Sequence, residues 1–150
     1  MAIELPGDFD EFLRSLNDHR VDYLLIGGIA VALHGYPRAT QDLDVWIDRR
    51  RANAERVVAA LRAFGFDVPE LTAELFLDPD RIVRMGVPPL RIEILGEIAG
   101  VEFTDCLPRA VTFAIGGADV PVISLTDLRR NKAAAGRPKD LDDLANLPPL

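Results

Sequence analysis

Between residues 42 and 47 the chain alternates without a break. Asp42, Asp44 and Trp46 fall on one side of an extended strand, and Leu43, Val45 and Ile47 fall on the other. The apolar side requires a core to pack against. The other side carries two like charges that repel, so the strand needs solvent or a cation beside it. Mg²⁺ meets that need, because it takes few carboxylates, keeps positions for water and bridges phosphate oxygens. Upstream, residues 21–26 form an apolar run read as a buried strand, interrupted by Gly27-Gly28; residues 29–33 read as a helix closed by Gly35 and Pro37. Two glycines between strand and helix let the backbone approach a ligand closely. The free N–H groups at a helix start suit phosphate.

The remaining segments supply a sheet and its cover. Phe9, Phe12, Leu13 and Leu16 recur at helical spacing, which predicts a helix over 8–19 with Asp8 as its N-cap. A second helix is predicted over 51–64, with Val57, Val58, Leu61 and Phe64 inward. Strands are predicted at 82–87 and 90–95, joined by a turn at Pro88-Pro89, and a hairpin over 109–115 and 118–123 turns at Gly116-Gly117. Ser124-Leu125-Thr126-Asp127 opens a helix running to Ala135 and capped by Gly136. Pro138 suits the first turn of a last helix that ends before Pro148. The expected fold is one α+β (α/β) domain over 1–150, a mixed β-sheet with flanking helices.

Composition narrows the function. A net charge of −7 argues against a protein that grips nucleic acid by itself, so an RNA acceptor is disfavoured. The single cysteine, Cys106, excludes an internal disulfide and a cysteine-based zinc site, and is expected as a buried thiol. The N-terminus does not read as a signal peptide. No apolar stretch reaches the roughly 18 residues that span a bilayer. A cytoplasmic protein with no membrane partner is therefore expected.

If the acid pair holds metal, a third acid is needed, since one ion must position an acceptor hydroxyl while another serves a triphosphate. Glu93 is the candidate: in the strand 90–95 it shares a face with Arg91, opposite Ile92 and Ile94, and a plain ion pair with Arg91 or another surface base is the alternative. Arg38 and Thr40 are candidate phosphate contacts, with a solvated loop as the alternative. Lys132 either meets a triphosphate or lies on a solvated helix face. Arg137, Lys139 and Asp140 stand at a helix start, where Asp140 either caps or takes part in chemistry. Trp46 either stacks on a base or closes the end of the sheet, and His34 reads as a surface loop residue.

Gly27-Gly28, the run Arg38-Ala39-Thr40-Gln41-Asp42-Leu43-Asp44 and the later acid Glu93 together resemble the nucleotidyltransferase (polymerase-beta-like) superfamily. The segments from Leu128 to Lys132 and from Gly136 to Leu141 resemble the C-terminal Lys and basic-Lys-Asp segments of minimal nucleotidyltransferases and type IV abortive-infection toxin relatives. The resemblance spans residues 21–147. It implies transfer of a nucleoside monophosphate from a nucleoside triphosphate, ATP among them, to a hydroxyl of a protein, RNA or small molecule, within a toxin–antitoxin type system. It implies Asp42, Asp44 and Glu93 as ligands of two Mg²⁺ ions and Lys132 as a further catalytic residue. Gly27, Gly28, Arg38 and Thr40 would bind the nucleotide, and a co-encoded toxin or antitoxin would be a partner. Two departures stand out: Ile29 and Ala30 replace the Ser that often follows the glycine, and the third acid is Glu where Asp is more usual. An inactive or weakly active nucleotide-binding antitoxin, acting by binding a toxin through its acidic surface, is the alternative.

Overall fold

The computed structural model describes residues 7–40, 42–87 and 90–150. In chain order the elements are α1 (Gly7–Asp18), β1 (Tyr23–Ile26), α2 (Gly27–Leu33), β2 (Asp42–Ile47), α3 (Arg51–Phe64), β3 (Ile82–Val87), β4 (Leu90–Leu95), a short α4 (Phe103–Cys106), β5 (Val111–Ile115), β6 (Ala118–Val122), α5 (Leu125–Ala135) and α6 (Pro138–Asn146). The strands form one six-stranded mixed sheet in the order β3-β4-β2-β1-β6-β5. β2 runs parallel to β4 and antiparallel to β1, and β1 runs parallel to β6. The two hairpins, β3-β4 and β5-β6, lie at the edges.

The expected elements and this sheet agree with the α+β reading, with local differences. Asp8 is not a cap: α1 already includes Gly7, and Asp8 lies in its first turn, where a carboxylate still opposes the helix dipole favourably. The second helix begins at Gly27 rather than Ile29, because β1 passes into α2 with no intervening loop. The expected Pro88-Pro89 turn lies outside the described residues.

Each helix follows from its sequence. Phe9, Phe12, Leu13 and Leu16 are the buried face of α1 and pack among the residues of α3 and β6. Gly65 closes α3 at φ 121, a value L-residues avoid. Asn53, fully buried at the start of α3, accepts from Asp22 N–H at 2.7 Å and donates to the carbonyls of Asp22 (3.0 Å) and Asp48 (2.8 Å), which ties that helix to the far ends of β1 and β2. Ser124 caps α5 by accepting from Asp127 N–H at 3.1 Å, and Gly136 ends it in the left-handed region.

Trp46 belongs to the core. It is 1% exposed and meets Phe103 edge-on, ring centroids 5.2 Å apart, so it closes the end of the sheet and cannot stack on a base. His34 hydrogen-bonds through Nε2 to the Ile123 carbonyl at 2.7 Å and meets Phe113 edge-on. Cys106 is a buried thiol, pushed up to about 11 by burial and the neighbouring Asp127 carboxylate.

Asp127 anchors α5 from the inside. Its fully buried carboxylate takes both arms of Arg109, at 2.9 and 3.0 Å, and Arg130 at 3.2 Å. Burial works against the charged form, but the hydrogen bonds from Arg109 and Ser124 outweigh it and hold the carboxyl below its ordinary value. Asp140 and Asp143 of α6 are buried, and their carboxyls are depressed for the same reason: burial is outweighed by hydrogen bonds from Arg137 and Lys132, and from Arg38 and Lys132. A carboxyl lowered in the folded state stabilises the fold above its unfolded value of 3.8 and loses that contribution as pH falls through its folded value. Three such groups predict a urea midpoint that drops steeply below about pH 4. In Asp127→Asn the midpoint near neutrality falls and that acid slope becomes shallower.

Candidate functional site

The site grows from a row of side chains across four strands. Ile26 of β1 stands opposite Asp44 of β2, Asp44 opposite Glu93 of β4, and Glu93 opposite Arg84 of β3. Asp42 stands two residues along on the same face, opposite Arg91. Two carboxylates placed directly across a strand pair repel. Arg84 relieves part of this by donating from Nε to Glu93 Oε1 at 2.9 Å, and Arg91 lies within 4.0 Å of Glu93 and 3.9 Å of Asp42. The Asp44 carboxyl carries the remainder. Burial, then the charges of Glu93 and Asp42, push it up to about 7, with Lys139 pulling the other way.

These residues line a cleft of about 530 Å³. Gly27, Gly28, Arg38, Thr40, Asp42, Asp44, Glu93 and Lys132 all reach it, whereas Asp140 and Trp46 do not line it. Arg84, Arg137 and Lys139 also reach it and bring further positive charge to its rim. The glycines are required by close approach. At Gly27, φ is +72 and an added Cβ would collide with Asp44 Oδ2; at Gly28 it would lie 2.9 Å from Thr40 Oγ1. Bare backbone therefore borders the acids on one side, where phosphate oxygens can come near.

Two candidates sit differently from a free phosphate contact. Arg38 is held by Asp143 through two parallel bonds, Nε to Oδ1 at 2.8 Å and Nη2 to Oδ2 at 2.9 Å. Lys132 is buried, with Nζ 3.2 Å from Asp140 and 3.1 Å from Asp143, so it is neither on a solvated helix face nor unpaired. Asp140 accepts from the Arg137 N–H at 3.2 Å and from the Arg137 side chain, so it caps α6 and pairs with Lys132 at once.

Sequence reasoning missed Asp143 and Arg84. Asp143 follows Asp140 by three residues, and that spacing puts both acids on one helical face. Arg84 was open to inference from its alternation with Val83 and Met85, and the antiparallel pairing of β3 with β4 places it opposite Glu93.

Among the described residues, no three His, Cys, Asp or Glu side chains already stand as a metal-binding group. Glu93 is engaged by Arg84, and Asp42 lies toward Arg91. The donor chemistry nonetheless fits a hard dication. The set is all carboxylate oxygen, and Asp44 Oδ1 is buried with no hydrogen-bond partner. A cation beside Asp44 would answer both the orphaned oxygen and the repulsion from Glu93.

A larger cleft of about 780 Å³ adjoins this one and shares Ile82, Leu95, Glu97, Ile98 and Ala99 with it. Its remaining lining includes Arg81, Glu102, Asp105, Arg109 and Arg130.

Comparison with known proteins bears on the same residues. Residues 7–149 match the family described as "Nucleotidyl transferase of unknown function (DUF2204)". No curated protein sequence matches the chain significantly. Among solved structures, a protein from Thermotoga maritima assigned as a nucleotidyltransferase is similar at 18% identity and TM-score 0.59, over 91% of this chain and 88% of that one. An antigenic nucleotidyltransferase-like protein from Paracoccidioides brasiliensis is similar at 16% identity and TM-score 0.53, over 93% and 73%. ANT(2″)-Ia, in complex with adenylyl-2″-tobramycin, is similar at 13% identity and TM-score 0.53, over 91% and 83%. At these identities the structural likeness establishes the fold.

The two glycine environments predict distinct costs. Gly117, at φ +80, has nothing within 4 Å of an added Cβ, so Gly117→Ala meets backbone strain alone, about 1–2 kcal/mol. Gly27→Ala adds the collision with Asp44 and should destabilise by at least about 1 kcal/mol more than Gly117→Ala in urea titrations.

Proposed function

The chain belongs to this nucleotidyl transferase family, and on that premise we propose that it transfers a nucleoside monophosphate from a nucleoside triphosphate to an acceptor hydroxyl, with Mg²⁺ bound by Asp42, Asp44 and Glu93. The observation that carries the reading is the meeting of three carboxylates, two bare glycines and several cations in one cleft. Bound there, Mg²⁺ supplies charge neutralisation for the phosphates and makes the acceptor hydroxyl more acidic.

The chain's own residues divide the remaining work. Gly27 and Gly28 let the phosphates approach the backbone, and Arg38 with Lys132 offsets their charge. Thr40, beside Gly28, borders the same position. The acceptor oxygen forms a bond to the α-phosphorus as the bond from that phosphorus to the bridging oxygen breaks. Pyrophosphate leaves, and the hydroxyl proton passes to Glu93. Catalysis is then mostly placement and electrostatic stabilisation of an in-line displacement. The adjoining larger cleft gives room for an acceptor beside the acids. A protein, RNA or small-molecule acceptor, a toxin–antitoxin setting and a cytoplasmic location complete the reading. Among the described residues no helix is long and apolar enough to cross a membrane.

Two variants test it. Glu93→Gln keeps the shape and removes the charge. Transfer should fall by about 100-fold or more, with the fold retained by circular dichroism, while Glu93→Asp keeps activity. Calorimetry with each ribonucleoside triphosphate should show binding that strengthens with Mg²⁺. Equal binding without metal, or full activity in Glu93→Gln, contradicts the assignment. Tight binding of a co-encoded protein by an Asp42→Asn/Asp44→Asn variant, with no transfer by the wild type, would favour the antitoxin reading.

A further inference from the structure

Five charged side chains from three segments form one continuous chain beside the cleft. It runs Arg38–Asp143–Lys132–Asp140–Arg137, with contacts of 2.8, 3.1, 3.2 and 2.6 Å. Arg38 comes from the loop after α2, Lys132 from α5, and the other three from the start and body of α6. Tyr36 adds a fourth tie, donating to Asp142 at 3.0 Å. Asp143 is the node of this chain. Its carboxylate, 1% exposed, is shared between Arg38 and Lys132.

The guanidinium of Arg38 has two usable edges. Asp143 occupies the Nε–Nη2 edge with two parallel bonds. The remaining nitrogen, Nη1, stands over Gly28, 3.2 Å from where a Cβ on that residue would be. A bidentate pair fixes the plane and direction of the fork, not only its charge. Asp143 thus leaves the other edge of Arg38 aimed at the bare backbone beside Asp44. The same carboxylate holds Lys132 at the cleft wall, and with Asp140 it offsets repulsion among Arg38, Lys132 and Arg137.

We propose that Asp143 is a positioning residue for the triphosphate: it aims Arg38, and holds Lys132, toward the phosphates without touching them. This rests on the nucleotide-binding reading above. The fixed fork removes the entropy that a free arginine would lose on meeting phosphate, so the contribution falls on ground-state binding of the nucleotide.

The test uses the full chain, Mg²⁺ and each ribonucleoside triphosphate, read by calorimetry and by transfer kinetics, with melting curves as the control for folding. Asp143→Asn should weaken triphosphate binding and raise its KM by about tenfold or more, with kcat changed by less than about threefold. Asp143→Glu, which restores the charge, should recover most of the loss. Arg38→Lys keeps a cation but not the fork and should show most of the loss seen in Asp143→Asn, the rest being the hold on Lys132. The double variant should be no weaker than Asp143→Asn, because Arg38→Lys removes an interaction already lost there. Should Asp143→Asn fail to fold, Arg38→Lys decides, since Arg38 is part-exposed on a loop. Wild-type affinity in either variant, a loss confined to kcat, or effects that multiply in the double variant overturns the proposal. If the wild type binds no nucleoside triphosphate, the parent reading fails and this one fails with it; if it binds and the variants bind equally, this one fails alone.

Discussion

Asp44 and Glu93 face one another across a parallel strand pair, and the rest of the site is arranged around their repulsion. A sheet would normally avoid such a pair. Here each acid meets a different answer. Glu93 is drawn to Arg84 on the next strand, whereas Asp44 is left partly buried with an oxygen that has no partner and a carboxyl pushed up to about 7. The fold can hold this arrangement because the neighbouring positions Leu43, Val45, Ile92 and Ile94 are buried. Removing apolar surface of that size from water contributes several kcal/mol, against which one strained pair is small. The same pairing that is costly for folding is what the proposed Mg²⁺ would relieve.

The opposite side of the cleft solves a related problem with opposite charges. Arg38, Lys132 and Arg137 converge on one region, and Asp140 and Asp143 separate them. Buried ion pairs add little net stability, because desolvation cancels much of their attraction. Their value lies in direction. They connect α6 to α5 and to the loop after α2, the loop that borders Gly28. Acids on the strands and cations from α5, the start of α6 and the loop after α2 thereby line one cleft.

Much of this was legible in the sequence, for a physical reason. Strand alternation fixed the side taken by Asp42 and Asp44, because a buried apolar face admits only one register. Turn chemistry at Gly116-Gly117 and Gly136 located the second hairpin and the end of α5, as φ values of +56, +80 and +63 at those glycines bear out. What local pattern could not give was the partner of each charge. Arg38 and Asp143 are 105 residues apart, and nothing near either one signals their pairing. Lys132 reads as equally suited to solvent or cleft until α6 is folded against it. Trp46 follows the same logic: alternation placed it with the acids, but burial of both strand faces at that end took it into the core.

In the proposed transfer the acids act at the α-phosphorus of a nucleoside triphosphate. The most direct measurement supplies the protein and Mg²⁺ with a triphosphate labelled at either the α or the γ position, in the presence of cell extract, purified tRNA and any co-encoded protein. Label should reach the acceptor from the α position alone, with one pyrophosphate released for each transfer and neither product formed by Asp42→Asn/Asp44→Asn. Label arriving from the γ position, or α-label transfer that survives loss of both aspartates, would contradict it.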